Sequence, residues 1–393
     1  MTVVVVASAV RTPIGRYLGG LSTLSAPALG EVAVRGALAA AGVEAAEVDS
    51  LFFGHGRQAG SGPNPARQVA FRAGIPVEAP AATINQACAS GLKSLQLAAD
   101  EIVLGRSRIV VAGGMESMST LPFVLDRMRT GYRLGHGEVV DLMYRDGFLC
   151  PLSNMIMGET AELLAKERGI SRREQDEFAL ASQRKAGAAR AAGRFTDEIV
   201  PVTVPGRKGE TVVAVDEHPR PDTTLDKLGR LPAVFDREHG TVTAGNSSGI
   251  TDGAAALVVM GADEAERRGI EPLAVFAASH VTGCDPKRMG LGPVPATRTL
   301  LEQTGLGLDD FDLVEINEAF AAQVLACLQE LPVEAERLNV NGGSIALGHP
   351  IGCTGARFVV TLLHELRRRG GRRGLATLCV SGGLGMAAVF ERP

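Results

Sequence analysis

The chain has 393 residues, of which 45% are apolar and 21% charged, and its formal net charge at pH 7 is −4. This length exceeds one ordinary hydrophobic core, so we expect two or three domains. The slightly acidic balance argues against a nucleic-acid partner, and no window approaches the roughly 18 consecutive apolar residues of a membrane helix. The N-terminal stretch lacks the pattern of a signal peptide, so we expect a cytoplasmic location.

Strand and helix patterns alternate in the first and last thirds of the chain, which predicts an α/β fold with a mostly parallel sheet. In the first third we predict strands at 3–10, 49–54, 82–85 and 108–114, and helices at 28–42, after Pro65 and at 89–104. In the last third we predict strands at 273–281, 311–317, 338–341 and 375–383, and helices at 296–305, 318–330 and 356–366.

The order of elements is the same in the two thirds, which indicates a duplicated βαβα unit with two facing halves. The stretch between them breaks this rhythm and contains a long charged helical pattern near 159–193. We therefore predict an N-terminal half over 1–118 plus 249–270, an inserted loop domain over 119–248, and a C-terminal half over 271–393. Inserted loops are a common place for substrate binding.

Six cysteines, at positions 88, 150, 284, 327, 353 and 379, are scattered without CxxC spacing. This spacing does not support a structural zinc or iron–sulfur site, so we predict no metal. One of them, Cys88 in TINQACASGLKS, stands at a predicted strand-to-helix junction. A helix N-terminus favours a thiolate by only ~0.3–1 kcal/mol, which is less than one pKa unit. Cys88 is therefore either a small core residue or a nucleophile that needs a base.

His349, in the sequence ALGHPIG, is the candidate base, because a loop rich in Gly and Pro allows close backbone approach. His55, in FFGHGRQAG, is the one rival in a similar setting. Cys379 ends a predicted strand just before SGGLG, and Asn317 ends another just before EAF. Each has a structural alternative, a core residue for Cys379 and a helix N-cap for Asn317. Apart from His55, these residues and Cys88 lie at predicted strand-to-helix or strand-end junctions, and the carboxyl ends of strands form the ligand crevice of open α/β sheets.

Taken together, NQACASG, NEAF, GGSIALGHPIGCTG and CVSGGLG resemble the thiolases, the family of acetyl-CoA acetyltransferases and 3-ketoacyl-CoA thiolases. VRTPIG, VVAGGMESMS, HPRPDTTLDKL and TAGNSSGITDGAAA also match, so the resemblance covers essentially the whole chain. It implies a five-layered αβαβα fold, doubled within the chain, with an inserted α/β loop domain that binds coenzyme A.

The resemblance also implies roles for individual residues. Cys88 matches the acyl-accepting nucleophile, His349 the base that activates it, and Cys379 a second acid/base thiol. Asn317 matches a residue that positions a water for an oxyanion hole shared with His349. The family has a second oxyanion hole made by two backbone amides, and the resemblance implies the amides of Cys88 and Ser381 for it.

Five positions match coenzyme A or acyl contacts of the family: Arg220, Ser248, Met157, Phe235 and Phe320. Arg220 suits a phosphate or an adenine ring, although a solvated loop charge is an alternative. Alternative roles also remain for two others: Ser248 could be a plain turn residue, and Phe320 could be a core residue.

The implied activity is CoA-dependent cleavage of a 3-ketoacyl-CoA to acetyl-CoA and a shortened acyl-CoA through an acyl-Cys88 intermediate. In reverse, it is a Claisen condensation of acetyl-CoA. Coenzyme A is then a substrate and no cofactor is permanently bound. By the same resemblance we expect a homodimer or homotetramer. The alternatives are a 3-ketoacyl synthase of the same superfamily, which lacks the second reactive cysteine, a Cys–His hydrolase, and a non-catalytic acyl-CoA-binding scaffold.

Two positions depart from the family pattern. Members specific for acetoacetyl-CoA usually carry a histidine where this chain has Ile156, so we expect broader 3-ketoacyl-CoA substrates. Ser381 stands where glycine is common. A serine keeps the amide donor of the second oxyanion hole but is strained, by roughly 1–3 kcal/mol, if the position requires a positive φ.

Overall fold

The computed structural model describes residues 2–207 and 209–393. The strands are β1 (Val4–Arg11), β2 (Gly15–Arg16), β3 (Ser50–Gly54), β4 (Ala81–Ile84), β5 (Ile109–Ser117), β6 (Phe123–Val124), β7 (Val140–Asp141), β8 (Leu149–Cys150), β9 (Met155–Ile156), β10 (Val202–Gly206), β11 (Gly209–Val213), β12 (Thr251–Gly261), β13 (Ala274–Gly283), β14 (Leu313–Ile316), β15 (Arg373–Val380) and β16 (Leu384–Glu391). The α-helices are α1 (Ala26–Ala41), α2 (Pro65–Ala73), α3 (Ser90–Val103), α4 (Met157–Arg168), α5 (Arg172–Ala191), α6 (Leu225–Gly229), α7 (Ala262–Arg268), α8 (Pro293–Thr304), α9 (Ala321–Leu328), α10 (Ser344–Leu347) and α11 (Ile351–Arg369).

The two halves of the chain form equivalent sheets. The N-terminal strands lie in the order β4-β3-β5-β12-β1, and the C-terminal strands in the order β14-β15-β16-β13. Strands β1 and β13 pair with each other through Val5 opposite Val275 and Val6 opposite Ala274, so the two sheets are continuous. In the N-terminal sheet β3 runs parallel to β5, and β12 runs antiparallel to both β5 and β1. The C-terminal sheet repeats this arrangement, with β14 parallel to β15 and β16 antiparallel to both β15 and β13. This repetition agrees with a duplicated unit.

Five layers result from the alternation of side chains along the buried strands. In β5, Val110 and Ala112 face a central core with α3 and α11, whereas Ile109 and Val111 face an outer core with α1 and α2. The C-terminal sheet covers the other side of the same central helices, and its outer face packs against α8 and α9. Successive strand residues point to opposite faces, so strands buried on both faces read as continuous apolar runs. The predicted αβαβα layering is present.

Three sequence predictions about the elements were wrong. The sheet is mixed, because β12 and β16 run antiparallel to both of their neighbours. The predicted strand 338–341 is reduced to one parallel bridge between Leu338 and Val314, at the position that β4 takes in the other half. The helical pattern at 159–193 is two helices, because Gly169 ends α4 with a φ of 64° and Ser171 caps α5. None of the helices described is long and apolar enough to cross a membrane.

Candidate active site

One largely apolar cavity of about 260 Å³ gathers most of the side chains that the sequence singled out. Eight of the ten predicted residues line it: Cys88, Met157, Phe235, Ser248, Phe320, His349, Cys379 and Ser381. Asn317 and Arg220 are not among its lining residues. The cavity walls come from both halves of the fold and from the segment 119–248 between them, so it exists only in the folded chain.

Cys88 stands on a strained turn between β4 and α3. A single 3₁₀ turn covers Ala87–Ala89, and Ala87 has a φ of 45°, which is uncommon for a residue other than glycine. Neighbouring side chains hold the turn: Asn85 Oδ1 accepts from the amide of Ala87 at 3.0 Å, and Ser90 Oγ donates to the carbonyl of Ala87 at 2.6 Å. Strain of this kind persists only where the surroundings over-determine the conformation, and it is frequent at active sites.

The thiol of Cys88 is buried but faces several donors. Burial raises the pKa of Cys88, while the charge of Arg57 and the backbone amides of Ser381 and Cys88 act in the opposite direction. The family resemblance implied these same two amides for the second oxyanion hole. The net direction is upward, so the free site holds Cys88 as a thiol at neutral pH.

His349 is held in one orientation by Thr354. His349 Nδ1 lies 2.7 Å from Thr354 Oγ1, and the hydroxyl of Thr354 donates to the carbonyl of Pro350 at 3.0 Å. A hydroxyl has one hydrogen, so Thr354 accepts the Nδ1–H of His349, and Nε2 carries the lone pair of the neutral ring. Burial, followed by the charges of Arg357 and Arg57, lowers the pKa of His349 to about 3. The imidazole is therefore neutral in the free site.

The loop of His349 approaches the N-terminal half because glycine backbones meet there. A Cβ on Gly352 would lie 2.6 Å from the amide nitrogen of Gly56 and 2.7 Å from the carbonyl of Met115. Glu116, fully buried at the end of β5, joins the two halves by accepting from the amides of Gly352 at 2.8 Å and Gly56 at 3.1 Å. Only glycine, which has no Cβ, allows this contact.

His55, the rival base, belongs to this joint and does not line the cavity. Its Nε2 lies 3.1 Å from Glu116 Oε1, and both side chains are almost completely buried. Burial acts to raise the pKa of Glu116, but the hydrogen bond from His55, the charge of Arg57 and the hydrogen bond from the Gly352 amide outweigh it and lower the pKa. His55 and Glu116 act as structural partners, which leaves His349 as the histidine of the cavity.

Cys379 lies at the end of β15, with a side chain that is 1% exposed. It packs in a small apolar cluster with Met289, Ala319 and, at the cluster edge, Met157. Burial raises the pKa of Cys379 well above its usual value, and the neighbouring Cys88 adds to this shift. The second thiol is thus a protonated group close to the first.

Ser381 begins the short turn that joins β15 to β16. Its backbone does not have a positive φ, whereas Gly382 and Gly383 have φ values of 93° and 87°. The two glycines therefore take the left-handed conformations, and Ser381 is free of the backbone strain that a positive φ would impose on a serine.

Asn317 is buried and does not line the cavity. It is not a helix cap, because α9 begins only at Ala321. Its Oδ1 accepts from Ser344 Oγ at 2.6 Å, and Ser344 Oγ in turn accepts from Arg357 at 3.2 Å. This chain fixes the orientation of the amide. Among the residues described, Asn317 Nδ2 has no hydrogen-bond partner, and a buried amide donor without one is rare.

The predicted coenzyme A contacts differ in their placement. Phe235 and Phe320 pack edge to face with ring centroids 6.3 Å apart, and Phe235 lies against the backbone of Gly158. The amide of Ser248 donates to the carbonyl of Ala319 at 3.0 Å. The side chain of Arg220 is exposed to solvent, outside the cavity.

Several cavity residues had not been singled out from the sequence. Most are apolar or aromatic: Met118, Tyr144, Phe148, Ile250, Met289, Ala319 and Ile351. Arg57 also lines the cavity and is 7% exposed. Apolar residues in a single sequence carry no mark that separates a cavity wall from a core. For Arg57, a charged residue in a glycine-rich loop was the available signal.

Two family models cover nearly the whole chain. The model for the N-terminal domain of thiolases matches residues 4–263, and the model for the C-terminal domain matches residues 270–392. The chain belongs to the thiolase family. Thiolases are acyltransferases, and the constellation of two cysteines and a histidine in one cavity agrees with this membership.

Individual relatives agree over their full lengths. An acetyl-CoA acetyltransferase of Cupriavidus necator is 50% identical over 393 residues, which is 100% of both chains. The crystal structure of the Bacillus anthracis acetyl-CoA acetyltransferase superposes with a TM-score of 0.98 at 46% identity, covering 100% of this chain and 99% of that one. Human mitochondrial 3-ketoacyl-CoA thiolase gives a TM-score of 0.96 at 43% identity, with the same coverage.

Proposed function

We propose that this thiolase cleaves 3-ketoacyl-CoA with coenzyme A to yield acetyl-CoA and a shortened acyl-CoA, through an acyl group on Cys88. The observation that carries this proposal is the meeting of Cys88, His349 and Cys379 in one apolar cavity, with the amides of Cys88 and Ser381 directed at the Cys88 sulfur. One thiol forms a covalent bond while the other moves protons, which is what a two-step acyl transfer requires.

In the first step, Cys88 Sγ attacks the keto carbon and passes its proton to His349 Nε2. The bond between the keto carbon and C2 then breaks, and its electron pair goes to C2 of the departing acetyl-CoA enolate. Cys379 donates a proton to C2, so acetyl-CoA leaves and Cys88 carries the acyl group. Both groups are neutral in the free site, so proton transfer from Cys88 accompanies the attack on substrate rather than preceding it.

In the second step, the Cys379 thiolate takes the proton of the incoming coenzyme A thiol. The resulting thiolate attacks the acyl carbon, the bond to Cys88 breaks, and His349 returns its proton to the Cys88 sulfur. Run in reverse, the same steps condense two acetyl-CoA molecules. Coenzyme A is a substrate here, as it is throughout the family.

Two oxyanions develop at different oxygens, so two sets of donors are needed. We propose the amides of Cys88 and Ser381 for one. For the other we propose His349 together with a water bound by Asn317, whose unpartnered Nδ2 is the donor such a water would use. Loss of one oxyanion donor typically raises the barrier by ~2.7–4 kcal/mol.

We further propose that the segment 119–248 forms the coenzyme A side of the cavity, between an N-terminal half over 1–118 plus 249–270 and a C-terminal half over 271–393. Met157 and Phe235 of this segment line the cavity beside Ser248 and Phe320. Arg220 lies outside, where its exposed guanidinium suits the phosphate or adenine end of coenzyme A. Ile156 also lines the cavity with an apolar side chain, which favours 3-ketoacyl chains longer than acetoacetyl.

A homodimer or homotetramer stays our proposal for the assembly. Strand β4 stands at the edge of the N-terminal sheet, where β3 is its single hydrogen-bonding neighbour among the strands described. A free edge strand offers a row of backbone donors and acceptors to a second copy. The cytoplasmic location remains a prediction.

The test is thiolysis of acetoacetyl-CoA and of a 3-keto C8–C16 series with free coenzyme A, with mass spectrometry of the trapped enzyme. We expect cleavage and an acyl adduct on the peptide that carries Cys88, with measurable turnover beyond C4. An adduct from simple acyl-CoA without any cleavage would instead indicate a 3-ketoacyl synthase. Absence of both adduct and cleavage would overturn the proposal.

A further inference from the structure

Among the described residues that line the cavity, Arg57 is the one arginine or lysine, and the catalytic steps do not use it. Arg57 follows β3, is 7% exposed, and lies against the backbone of Gly147 on one side while it lines the cavity on the other. The lining residues Met118, Phe148 and Ile156 are apolar. A guanidinium in such a wall is costly unless it has an anionic partner.

Arg57 has no such partner among residues 2–207 and 209–393. Glu116, the carboxylate whose pKa it influences, directs its oxygens at the ring of His55 and at the amides of Gly56, Arg57 and Gly352. Arg57 belongs to none of the ion pairs of the described residues, which extend to 4.0 Å between nitrogen and oxygen, and Glu116 pairs with His55 instead. The charge of Arg57 is therefore uncompensated at close range.

The hydrogen bonds of Arg57 are also incomplete. A guanidinium has five N–H donors. Those of Arg57 reach the carbonyl of Gly147 at 2.8 Å and, at the limit of a hydrogen bond, the carbonyl of Gly56 at 3.5 Å. The buried Nε–H has no partner among the described residues. Nε lies on the side of Gly147, whereas Nη1 has only the marginal contact with Gly56, so the guanidinium that lines the cavity keeps donor capacity for an acceptor.

We propose that Arg57 binds a carboxylate at the end of the acyl chain, so that the preferred substrates are 3-ketoacyl-CoA thioesters with a terminal carboxylate a few carbons beyond the keto group. This inference rests on the proposed function, since it concerns the acyl group that Cys88 receives. A planar guanidinium with free donors matches a carboxylate in charge and geometry better than it matches a methyl terminus. The carboxylate lies only a few carbons beyond the keto group in this proposal because Arg57 and Cys88 line the same cavity.

A different role for Arg57 is electrostatic support of the Cys88 thiolate. Its charge acts to lower the pKa of Cys88, yet burial prevails and the pKa stays raised. This role predicts equal effects on acidic and neutral substrates, because every substrate needs the same nucleophile. Carboxylate recognition predicts unequal effects, and this difference decides between them.

The experiment compares two substrates of equal chain length, 3-oxoadipyl-CoA with a terminal carboxylate and 3-oxohexanoyl-CoA with a methyl terminus. We expect kcat/KM of the native enzyme to favour the acidic substrate by about tenfold or more. Arg57→Met, which keeps an unbranched side chain but removes the charge and every N–H donor, should lower the ratio of the two values by at least about tenfold, and Arg57→Lys should retain part of it. Circular dichroism and thermal unfolding of each variant verify the fold.

Two results would overturn the inference. One is a native enzyme that prefers the methyl terminus. The other is a ratio that Arg57→Met leaves unchanged; an equal loss on both substrates with a shifted pH profile of Cys88 alkylation would then assign Arg57 to the thiolate. Failure of the proposed function looks different, because then neither substrate is cleaved and Cys88 carries no acyl adduct.

Discussion

Thr354 accepts a hydrogen bond from His349 Nδ1 at 2.7 Å, from its position one turn inside α11. Its own hydroxyl hydrogen goes to the carbonyl of Pro350 at 3.0 Å, so the direction of both bonds is determined. The pair keeps the imidazole in the tautomer whose Nε2 is basic, and it does so through a neutral partner. A carboxylate in this place would raise the pKa of the histidine, whereas a threonine does not add charge.

Removal of this acceptor should impair catalysis without altering the nucleophile. For Thr354→Val, we expect kcat/KM to fall by about 10- to 100-fold, because the wrong tautomer and ring orientation become accessible and a buried N–H loses its partner. Thr354→Ser keeps the hydroxyl and should recover most of the activity. Steady-state thiolysis of both variants checks the prediction, and similar losses in the two would count against the hydroxyl as the relevant group.

Substitution of the nucleophile should abolish acyl transfer. We expect Cys88→Ala to lose at least about a thousandfold in kcat and to form no acyl adduct, while the fold is retained. Cys327→Ala serves as a matched control, since Cys327 is fully buried, donates to the carbonyl of Gly290 and does not line the cavity. Turnover near the native level in Cys88→Ala would refute the role of this cysteine.

The second thiol should separate the two half-reactions. Cys379→Ala keeps Cys88 and His349, so simple acyl-CoA should still acylate the enzyme. Carbon–carbon cleavage should fall by about a thousandfold or more, because the enolate at C2 has no acid to protonate it. Mass spectrometry measures the adduct and loss of the 3-ketoacyl-CoA measures cleavage. Equal loss of both activities would contradict this division of labour.

The depressed pKa of His349 should make stability depend on pH. Below its ordinary pKa of 6.5, the unfolded chain binds a proton at this residue, whereas the folded site, with a pKa of about 3, stays neutral. The unfolded state then binds more protons, so the free energy of unfolding decreases as pH falls from 6.5 towards 3. At pH 5 the contribution lost is about 2 kcal/mol.

His349→Gln lacks this titration and so isolates it. We expect the difference in unfolding free energy between native enzyme and variant to shift by about this amount, in favour of the variant, between pH 7.5 and pH 5. Denaturant unfolding at the two pH values measures the shift. A difference that does not change with pH would mean that the pKa of His349 is close to its ordinary value.

The close contact at Gly352 should not tolerate a methyl group. The nearest atoms to a Cβ there belong to backbone, at 2.6–2.7 Å, and backbone moves at a high cost. We expect Gly352→Ala to lower the free energy of unfolding by about 3 kcal/mol and to reduce kcat, because the loop of His349 shifts with it. Gly187→Ala in α5 is the control, since nothing lies within 4 Å of its Cβ, and it should stabilise by about 0.5–1 kcal/mol. Chemical denaturation of the two variants compares them, and a neutral Gly352→Ala would contradict the packing argument.

Sequence patterns located most elements of the fold, because apolar periodicity is a local property. The helix predicted at 89–104 lies at Ser90–Val103, and the strand predicted at 108–114 lies within Ile109–Ser117 apart from its first residue. Two of the three errors have a common cause. Strand direction, and the reduction of 338–341 to a single bridge, depend on neighbours distant in the chain, which periodicity does not report.

The sequence by itself determined the inventory of the site: two cysteines, a histidine and an asparagine, in motifs that identify the family. Only the tertiary structure decided which of these groups share a cavity, that His55 belongs with Glu116 and that Thr354 holds His349. It also decided that Arg57 lines the cavity with no acidic partner among the described residues. The physical reason is the distance along the chain. The bond between Glu116 and Gly352 joins residues 236 positions apart, and such contacts form only when two separately patterned halves pack together.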